Sequence, residues 1–299
     1  ETVQDPKTHR YSSSRGIPGL RKAVADYYGR RFGVDVDPET ETIVTLGSKE
    51  GLANLSSAIT SPGDVILVPN PSYPIHPFGF IIAGSAVRSI PVGPEQEFMA
   101  AMKRAVQHSS PKPTAVVLNY PNNPTSATAS EEDFISAIAF CRENDIALLH
   151  DAAYSEVGYD GYKPLSYLEV AGSKDIGLEF HSFAKTYNMT GWRIGMAVGN
   201  AAMIKALFQI KANLDSGVPQ AVQEMAMEAL TGPQDCVADN LDAYTRRRDR
   251  VVKAVKAMGM SVDVPRASLY IWAKVPDGYT SAEMAQLLLE ELDVVVTPG

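Results

Sequence analysis

The sequence predicts an α/β fold, a three-layer sandwich in which helices cover both faces of a mainly parallel sheet. Short runs of apolar residues alternate along the chain with segments that carry apolar residues at helical spacing. The runs are apolar throughout, as is typical of strands that are buried on both faces. Polar residues follow these runs directly, at the sheet edge where such folds bind ligands. The predicted strands are residues 43–46, 65–68, 115–118, 146–149, 178–181 and 196–198.

Apolar residues at helical spacing start at Leu20 and at Leu52. They recur at residues 98–106 and 134–141, and most of residues 220–255 are also predicted to be helical. The last part of the chain predicts a different arrangement. A strand at residues 268–273, a helix at 282–292 and a strand at 294–296 would form part of a small α+β domain. We therefore expect a large domain over residues 1–250 and a partial small C-terminal domain over residues 251–299.

The charge of the chain argues against nucleic-acid binding. The 299 residues carry a formal net charge of −8, whereas phosphate contacts need clustered lysine and arginine. One basic cluster, Arg246 to Arg248 with Arg250, alternates with acidic residues and favours a solvated helix face.

The two cysteines, Cys141 and Cys236, form neither a disulfide framework nor a spacing typical of metal ligands. No apolar run reaches the length of a membrane span, about 18 residues, and we expect no signal peptide. These features predict a cytoplasmic protein with reduced thiols, no metal site and no membrane partner.

A strand, a small-residue turn and a helix follow one another around Ser48. The free N–H groups at the start of such a helix can bind an anion. The alternative is that Ser48 is an ordinary N-cap without a ligand.

Several further strand ends carry polar side chains. Tyr73 lies in a proline-rich loop after one strand, Asn123 in another, and Asp151 and Tyr154 follow a third. A lone Asp151 could equally be a helix N-cap. The common location of all four side chains favours a ligand site at this edge of the sheet.

Residues 181–195 place a hydroxyl, an amine and a guanidinium on one loop after a predicted strand. Ser182, Lys185 and Arg193 supply these groups, which suit a phosphate with a nucleophilic amine beside it. The alternative is that Lys185 is a solvated surface lysine. The aromatic and apolar residues around it argue against that interpretation.

Pyridoxal 5′-phosphate matches this set of groups. Its aldehyde reacts with a lysine, its pyridine nitrogen needs a carboxylate, and its phosphate needs a cradle. A dinucleotide is the competing cofactor, but neither a G-x-G-x-x-G pattern after the first strand nor a P-loop pattern occurs.

Three segments carry a resemblance to a known family: residues 120–125 (YPNNPT), 150–154 (HDAAY) and 182–193 (SFAKTYNMTGWR). They resemble the fold-type I, class I/II aminotransferases, especially the bacterial alanine (glutamate–pyruvate) and LL-diaminopimelate aminotransferases. The resemblance runs from Tyr11 to Pro298. It implies transamination between an amino acid, with alanine as our first choice, and a 2-oxo acid such as 2-oxoglutarate.

The resemblance also implies a role for each candidate residue. Lys185 forms a Schiff base with the cofactor and moves the substrate proton, and Asp151 pairs with the pyridine nitrogen. Tyr154 and Asn123 bind the phenolic oxygen. The other expected cofactor contacts are the stacking ring of Tyr73, the backbone at Ser48 and Lys49, the hydroxyl of Ser182, the guanidinium of Arg193, and Tyr11, which reaches the phosphate of the neighbouring subunit.

A homodimer is therefore implied, and the bonds Asn70–Pro71 and Asn123–Pro124 match positions that are often cis in the family. Family members are usually longer, and the arginine that binds the substrate α-carboxylate has no counterpart in residues 1–299. Three alternatives stay open: LL-diaminopimelate as donor, a pyridoxal-phosphate-dependent lyase acting at Cβ, and a non-catalytic domain that only binds the cofactor.

Overall fold

A seven-stranded sheet forms the centre of the computed structural model, which describes residues 2–91 and 98–299. Its strands are β1 Thr42–Thr45, β2 Val65–Asn70, β3 Ala86–Pro91, β4 Pro113–Asn119, β5 Ala147–Asp151, β6 Gly177–Ser182 and β7 Gly195–Gly199. They lie in the order β1-β7-β6-β5-β4-β2-β3. Strand β7 is antiparallel to β1 and β6, and every other pair is parallel. The carboxyl ends of all strands except β7 therefore meet at one edge.

Helices cover both faces of this sheet. They are α1 Pro18–Phe32, α2 Ser48–Ile59, α3 Ile75–Ile82, α4 Phe98–Gln107, α5 Glu131–Asn144, α6 Phe183–Thr186, α7 Ala201–Leu214, α8 Gln220–Thr231, α9 Asp235–Ala257 and α10 Ser281–Leu292. Within the described residues, none of them is long and apolar enough to cross a membrane.

The side chains of successive residues in a strand lie in two different hydrophobic cores, one on each face of the sheet. In β4, Val116 and Leu118 pack against α1, α4, α5 and α8, whereas Ala115 and Val117 pack against α2, α3 and α7. A strand buried in this way is apolar at most positions. The predicted three-layer sandwich with a mainly parallel sheet is therefore confirmed.

A buried glutamate fixes the strands that carry the polar edge. Glu179 of β6 is fully buried and lies 2.9 Å from Nδ1 of His150 in β5. The hydroxyls of Tyr28 and Ser166 each donate to its carboxylate at 2.8 Å. Burial alone would raise the pKa of Glu179, but these hydrogen bonds outweigh burial and hold the pKa below its ordinary value. The network ties the strand that ends in Asp151 to the strand that ends in Ser182.

The C-terminal part of the chain differs from the prediction in two places. The helix predicted at residues 282–292 is confirmed as α10. Residues 294–296 form no strand, and the strand predicted at 268–273 is also wrong, since only Ala273–Lys274 (β9) pairs, with Ser261–Val262 (β8). Ser268 has φ +72°, which breaks an extended backbone. Helix α9 runs across the expected domain boundary at residue 250, and the division of the chain there stays a prediction.

The basic cluster on α9 matches its predicted environment except at one position. Arg246, Arg247 and Arg250 are exposed, as expected for a solvated face. Arg248 is buried instead, and its guanidinium donates to Asp160 at 2.7 Å and to the carbonyl of Pro265 at 3.3 Å. This contact fixes residue 265 against the loop that follows β5.

Candidate active site

A cavity of about 170 Å³ opens at the carboxyl edge of the sheet. Nine of the ten predicted cofactor-binding residues line it: Ser48, Lys49, Tyr73, Asn123, Asp151, Tyr154, Ser182, Lys185 and Arg193. The tenth, Tyr11, is outside the cavity and 91% exposed. The cavity wall also contains Asn119, Thr190 and Tyr270, which the sequence did not single out.

The start of α2 forms one end of the cavity. Its N-cap is Gly47, at φ +84° and ψ +164°, which has no side chain to cap the helix. Ser48 is the first helical residue, so the interpretation of Ser48 as an N-cap was wrong. Arg193 lies against this turn, since a Cβ added to Gly47 would meet its Nη2 at 2.8 Å. A helix start beside a guanidinium favours an anion at this end.

Loop contacts place the other groups around the same helix start. The exposed Arg193 donates through Nη1 to the carbonyl of Thr190 at 3.0 Å. Ser182 ends β6, and its buried hydroxyl accepts a hydrogen bond from the N–H of Ala184 at 3.2 Å. Its proton stays available for a ligand in the cavity.

Asp151 ends β5 and is 95% buried. One carboxylate oxygen, Oδ2, lies 3.0 Å from Nε2 of His76, whereas Oδ1 has no hydrogen-bond partner within residues 2–91 and 98–299. No helix follows Asp151, so the N-cap alternative was wrong. A buried, partnerless carboxylate oxygen is costly unless a cationic donor satisfies it. The side chain is therefore suited to a protonated ring nitrogen.

Two residues that the sequence did not single out, His76 and Asn119, hold this carboxylate and its neighbours. His76 lies one helical turn after Tyr73, at the start of a helix that was not predicted. Asn119 ends β4, and its side chain donates to the carbonyl of Asp151 at 2.7 Å and accepts from the N–H of Asn123 at 2.8 Å. A histidine one turn after Tyr73 and an asparagine at a strand end were the available signals.

Tyr154 places a hydroxyl on the same wall of the cavity. The side chain is 96% buried, and its oxygen lies 2.7 Å from the hydroxyl oxygen of Tyr270. Burial first, and then the neighbouring Tyr270, raises the pKa of Tyr154 far above its ordinary value. Tyr154 therefore keeps its proton and can donate it to an acceptor.

The bonds Asn70–Pro71 and Asn123–Pro124 are cis, as the resemblance implied.

Lys185 lies on α6, directly after β6, and its side chain is half-buried, not in open water. Burial, and then the positive charge of Arg193, lowers the pKa of its amine. Tyr73 lines the same cavity, and the ammonium of Lys49 lies 5.7 Å from the centre of its ring. The interpretation of Lys185 as a solvated surface lysine does not fit this position.

The groups in the cavity match the features of pyridoxal phosphate. The uncapped helix start and Arg193 suit the phosphate, the partnerless oxygen of Asp151 suits the pyridine nitrogen, and the amine of Lys185 suits the aldehyde. Within the described part of the chain, no group of three histidine, cysteine or acidic side chains could hold a metal ion.

Comparison with known proteins agrees with this chemistry. The family model for aminotransferase class I and II matches residues 1–299. An LL-diaminopimelate aminotransferase of Dehalococcoides mccartyi is 50% identical over 299 residues, which are 100% of this chain and 77% of the relative. The glutamate–pyruvate aminotransferase AlaC of Escherichia coli is 46% identical, over 99% of this chain and 73% of its own.

A solved structure shows the same likeness in three dimensions. Apo-BacF from Bacillus subtilis superimposes with a TM-score of 0.93 at 36% identity, covering 99% of this chain and 79% of its own. The sheet, the cavity and the matched sequence lead to one conclusion. The chain belongs to the class I and II aminotransferases and is a pyridoxal-phosphate-dependent transaminase.

Proposed function

We propose that this aminotransferase moves the amino group of LL-diaminopimelate to a 2-oxo acid. Exchange between alanine and 2-oxoglutarate, which the sequence favoured, is the second candidate. Several relatives at 48–50% identity are named LL-diaminopimelate aminotransferases, and the glutamate–pyruvate enzyme follows at 46%. The observation that carries transamination itself is the half-buried amine of Lys185, in one cavity with the partnerless carboxylate oxygen of Asp151.

The reaction needs an electron sink beside a base. Pyridoxal phosphate, when bound, supplies an aldehyde and an electron-withdrawing ring. Asp151 accepts a hydrogen bond from the protonated ring nitrogen and stabilises its positive charge. His76 holds the other carboxylate oxygen at 3.0 Å, which fixes the orientation of the acid.

Lys185 would move the proton between Cα of the substrate and C4′ of the cofactor. An ordinary lysine, with a pKa of about 10.4, is nearly all protonated at neutral pH and cannot act as a base. Burial and the charge of Arg193 lower the pKa of Lys185, so more of the amine is neutral at a given pH. The same two effects make it a better nucleophile.

The remaining side chains position the ring. The N–H groups of Ser48 and Lys49, the hydroxyl of Ser182 and the guanidinium of Arg193 hold the phosphate. Tyr73 would stack on the ring, and Tyr154 and Asn123 would donate to the phenolic oxygen. Each of these assignments uses a group that lines the cavity.

Gly47→Ala will weaken the binding of pyridoxal phosphate by roughly 10-fold to 100-fold, or about 1.4–2.8 kcal/mol, because Arg193 must move away from the helix start. A methyl group here would lie 2.8 Å from Nη2 of Arg193, on a backbone that disfavours any Cβ. The measurement is cofactor affinity of the apoprotein by fluorescence titration. Gly33→Ala is the matched control. Gly33 also has a positive φ, of +68°, but an added Cβ would have no atom within 4 Å. An equal effect of both variants would contradict the phosphate cradle.

A donor–acceptor panel tests the proposed substrate. We expect the highest kcat/KM with LL-diaminopimelate, measured against L-alanine and L-glutamate with 2-oxoglutarate and pyruvate as acceptors. A higher value with alanine would instead support the second candidate. Pyruvate and ammonia released from a β-substituted amino acid would indicate a lyase, and no turnover with any donor would indicate a domain that only binds the cofactor.

We also propose a cytoplasmic homodimer, with a large domain at residues 1–250 and a partial small domain at 251–299. Tyr11 is 91% exposed, so its hydroxyl is free to reach the phosphate bound to a second copy. Sedimentation equilibrium would give the assembly mass. A monomer at micromolar concentration would contradict this part of the proposal.

A further inference from the structure

A second tyrosine hydroxyl, that of Tyr270, lies beside Tyr154, one of the two proposed donors to the phenolic oxygen. The side chain of Tyr270 lines the cavity, and its ring meets that of Tyr154 edge to face, with centroids 5.6 Å apart. Their hydroxyl oxygens are 2.7 Å apart, which is the ordinary length of an O–H···O hydrogen bond.

The backbone of Tyr270 and of the nearby Ser268 is hydrogen-bonded to the segments that follow β4 and β5. Ser126 donates to the carbonyl of Tyr270 at 2.8 Å, and its oxygen lies 3.0 Å from that of Ser268. The N–H of Ser268 donates to the carbonyl of Val157 at 2.8 Å, and its own carbonyl accepts the hydroxyl proton of Tyr159 at 2.7 Å. These bonds hold Tyr270 in place against Ser126 and against the loop that carries Tyr154, Val157 and Tyr159.

Each tyrosine hydroxyl has one proton to donate. The two hydroxyls share one hydrogen bond, so only one of them donates in it. If Tyr154 donates to the cofactor, as proposed above, then its oxygen must accept from Tyr270. The reverse direction would leave Tyr154 without a proton for the phenolic oxygen.

We propose that Tyr270 is a positioning residue that donates to Tyr154 and thereby directs the Tyr154 proton at the phenolic oxygen of the cofactor. This inference rests on the proposed role of Tyr154. An O–H that accepts a hydrogen bond becomes a stronger donor, so the chain Tyr270, Tyr154, phenolic oxygen is cooperative. Tyr270 thus stabilises negative charge on the cofactor without touching it.

The absorption spectrum of the bound cofactor reports this charge. A donor to the phenolic oxygen stabilises the form of the bound cofactor in which this oxygen is negatively charged and the proton next to it has been lost. Loss of the donor therefore moves the midpoint of the pH-dependent absorption change to higher pH. The other titratable groups facing the cavity are Asp151, Tyr73, Lys49, Lys185 and Arg193, and all of them stay unchanged in the variants below.

The experiment is a pH titration of the visible absorption of the cofactor-loaded protein in four variants. Tyr270→Phe will raise the midpoint by about 0.5–1 pH unit, the equivalent of one net hydrogen bond. Tyr154→Phe will raise it further, and Tyr270→Phe will add nothing in the Tyr154→Phe background. Tyr159→Phe is the structural control, because it removes a bond to the same segment outside the cavity. It will leave the midpoint unchanged.

Three results would overturn the inference. If Tyr154→Phe leaves the midpoint unchanged, the proposed role of Tyr154 fails and the role of Tyr270 fails with it. If Tyr154→Phe shifts the midpoint but Tyr270→Phe does not, only the role of Tyr270 fails. Equal shifts by Tyr270→Phe in the wild-type and Tyr154→Phe backgrounds would show that Tyr270 acts on the cofactor without Tyr154. Thermal unfolding of each variant checks that the fold is retained.

Discussion

Lys185→Ala will abolish transamination and remove the visible absorption band of the bound cofactor. The variant loses the amine that we propose joins the cofactor aldehyde and moves the substrate proton. Proton transfer by a positioned side chain is worth about 10²-fold to 10⁴-fold by itself. Steady-state turnover and the spectrum of the cofactor-loaded protein measure the two losses separately.

Lys205→Ala is the matched control for this variant. Lys205 is an exposed lysine on α7, and its loss should change neither turnover nor spectrum. If Lys185→Ala transaminated at near wild-type rate, the central role of this lysine would be wrong.

Asp151→Ala will leave pyridoxal phosphate bound but slow proton removal from the substrate. The residues that we propose to bind the phosphate do not include Asp151, so we expect most of the binding contacts to stay. Without the carboxylate the ring nitrogen loses its proton and the ring withdraws electrons less well. Removing one preorganised electrostatic partner costs on the order of 10²-fold to 10³-fold in rate. Single-turnover absorption kinetics with a donor amino acid measure this step directly.

Asp151→Asn keeps the shape of the side chain without its charge, and we expect a similar loss. Asp26→Asn, an exposed acid on α1 paired with Lys22, controls for the removal of one negative charge. Single-turnover rates unchanged by both Asp151 substitutions would refute the role of the acid.

The sequence predicted the buried strands well, since a strand covered on both faces is apolar at most positions. All six predicted runs lie in the sheet. Strand β3 was missed because it is an edge strand with mostly exposed side chains. The strand predicted at residues 268–273 failed because tertiary hydrogen bonds to Ser126, Val157 and Tyr159 override the local preference for an extended chain.

The candidate site was predictable where chemistry follows directly from a strand end. Asp151, Ser182 and Asn123 are examples, because the parallel sheet brings such ends together. His76 and Tyr270 were not predictable in this way. Each acts on a site residue through one contact. The partners are 75 positions apart for His76 and Asp151 and 116 positions apart for Tyr270 and Tyr154, so no local pattern encodes either contact.

Reduction with borohydride followed by peptide mass mapping tests the attachment of the cofactor to Lys185 most directly. Borohydride fixes the bond between the cofactor aldehyde and the amine that holds it. We expect the fixed cofactor on the peptide that contains Lys185, and loss of that adduct in Lys185→Ala. An adduct on Lys49, the other lysine of the cavity wall, or no adduct on any lysine would contradict the site built around Lys185.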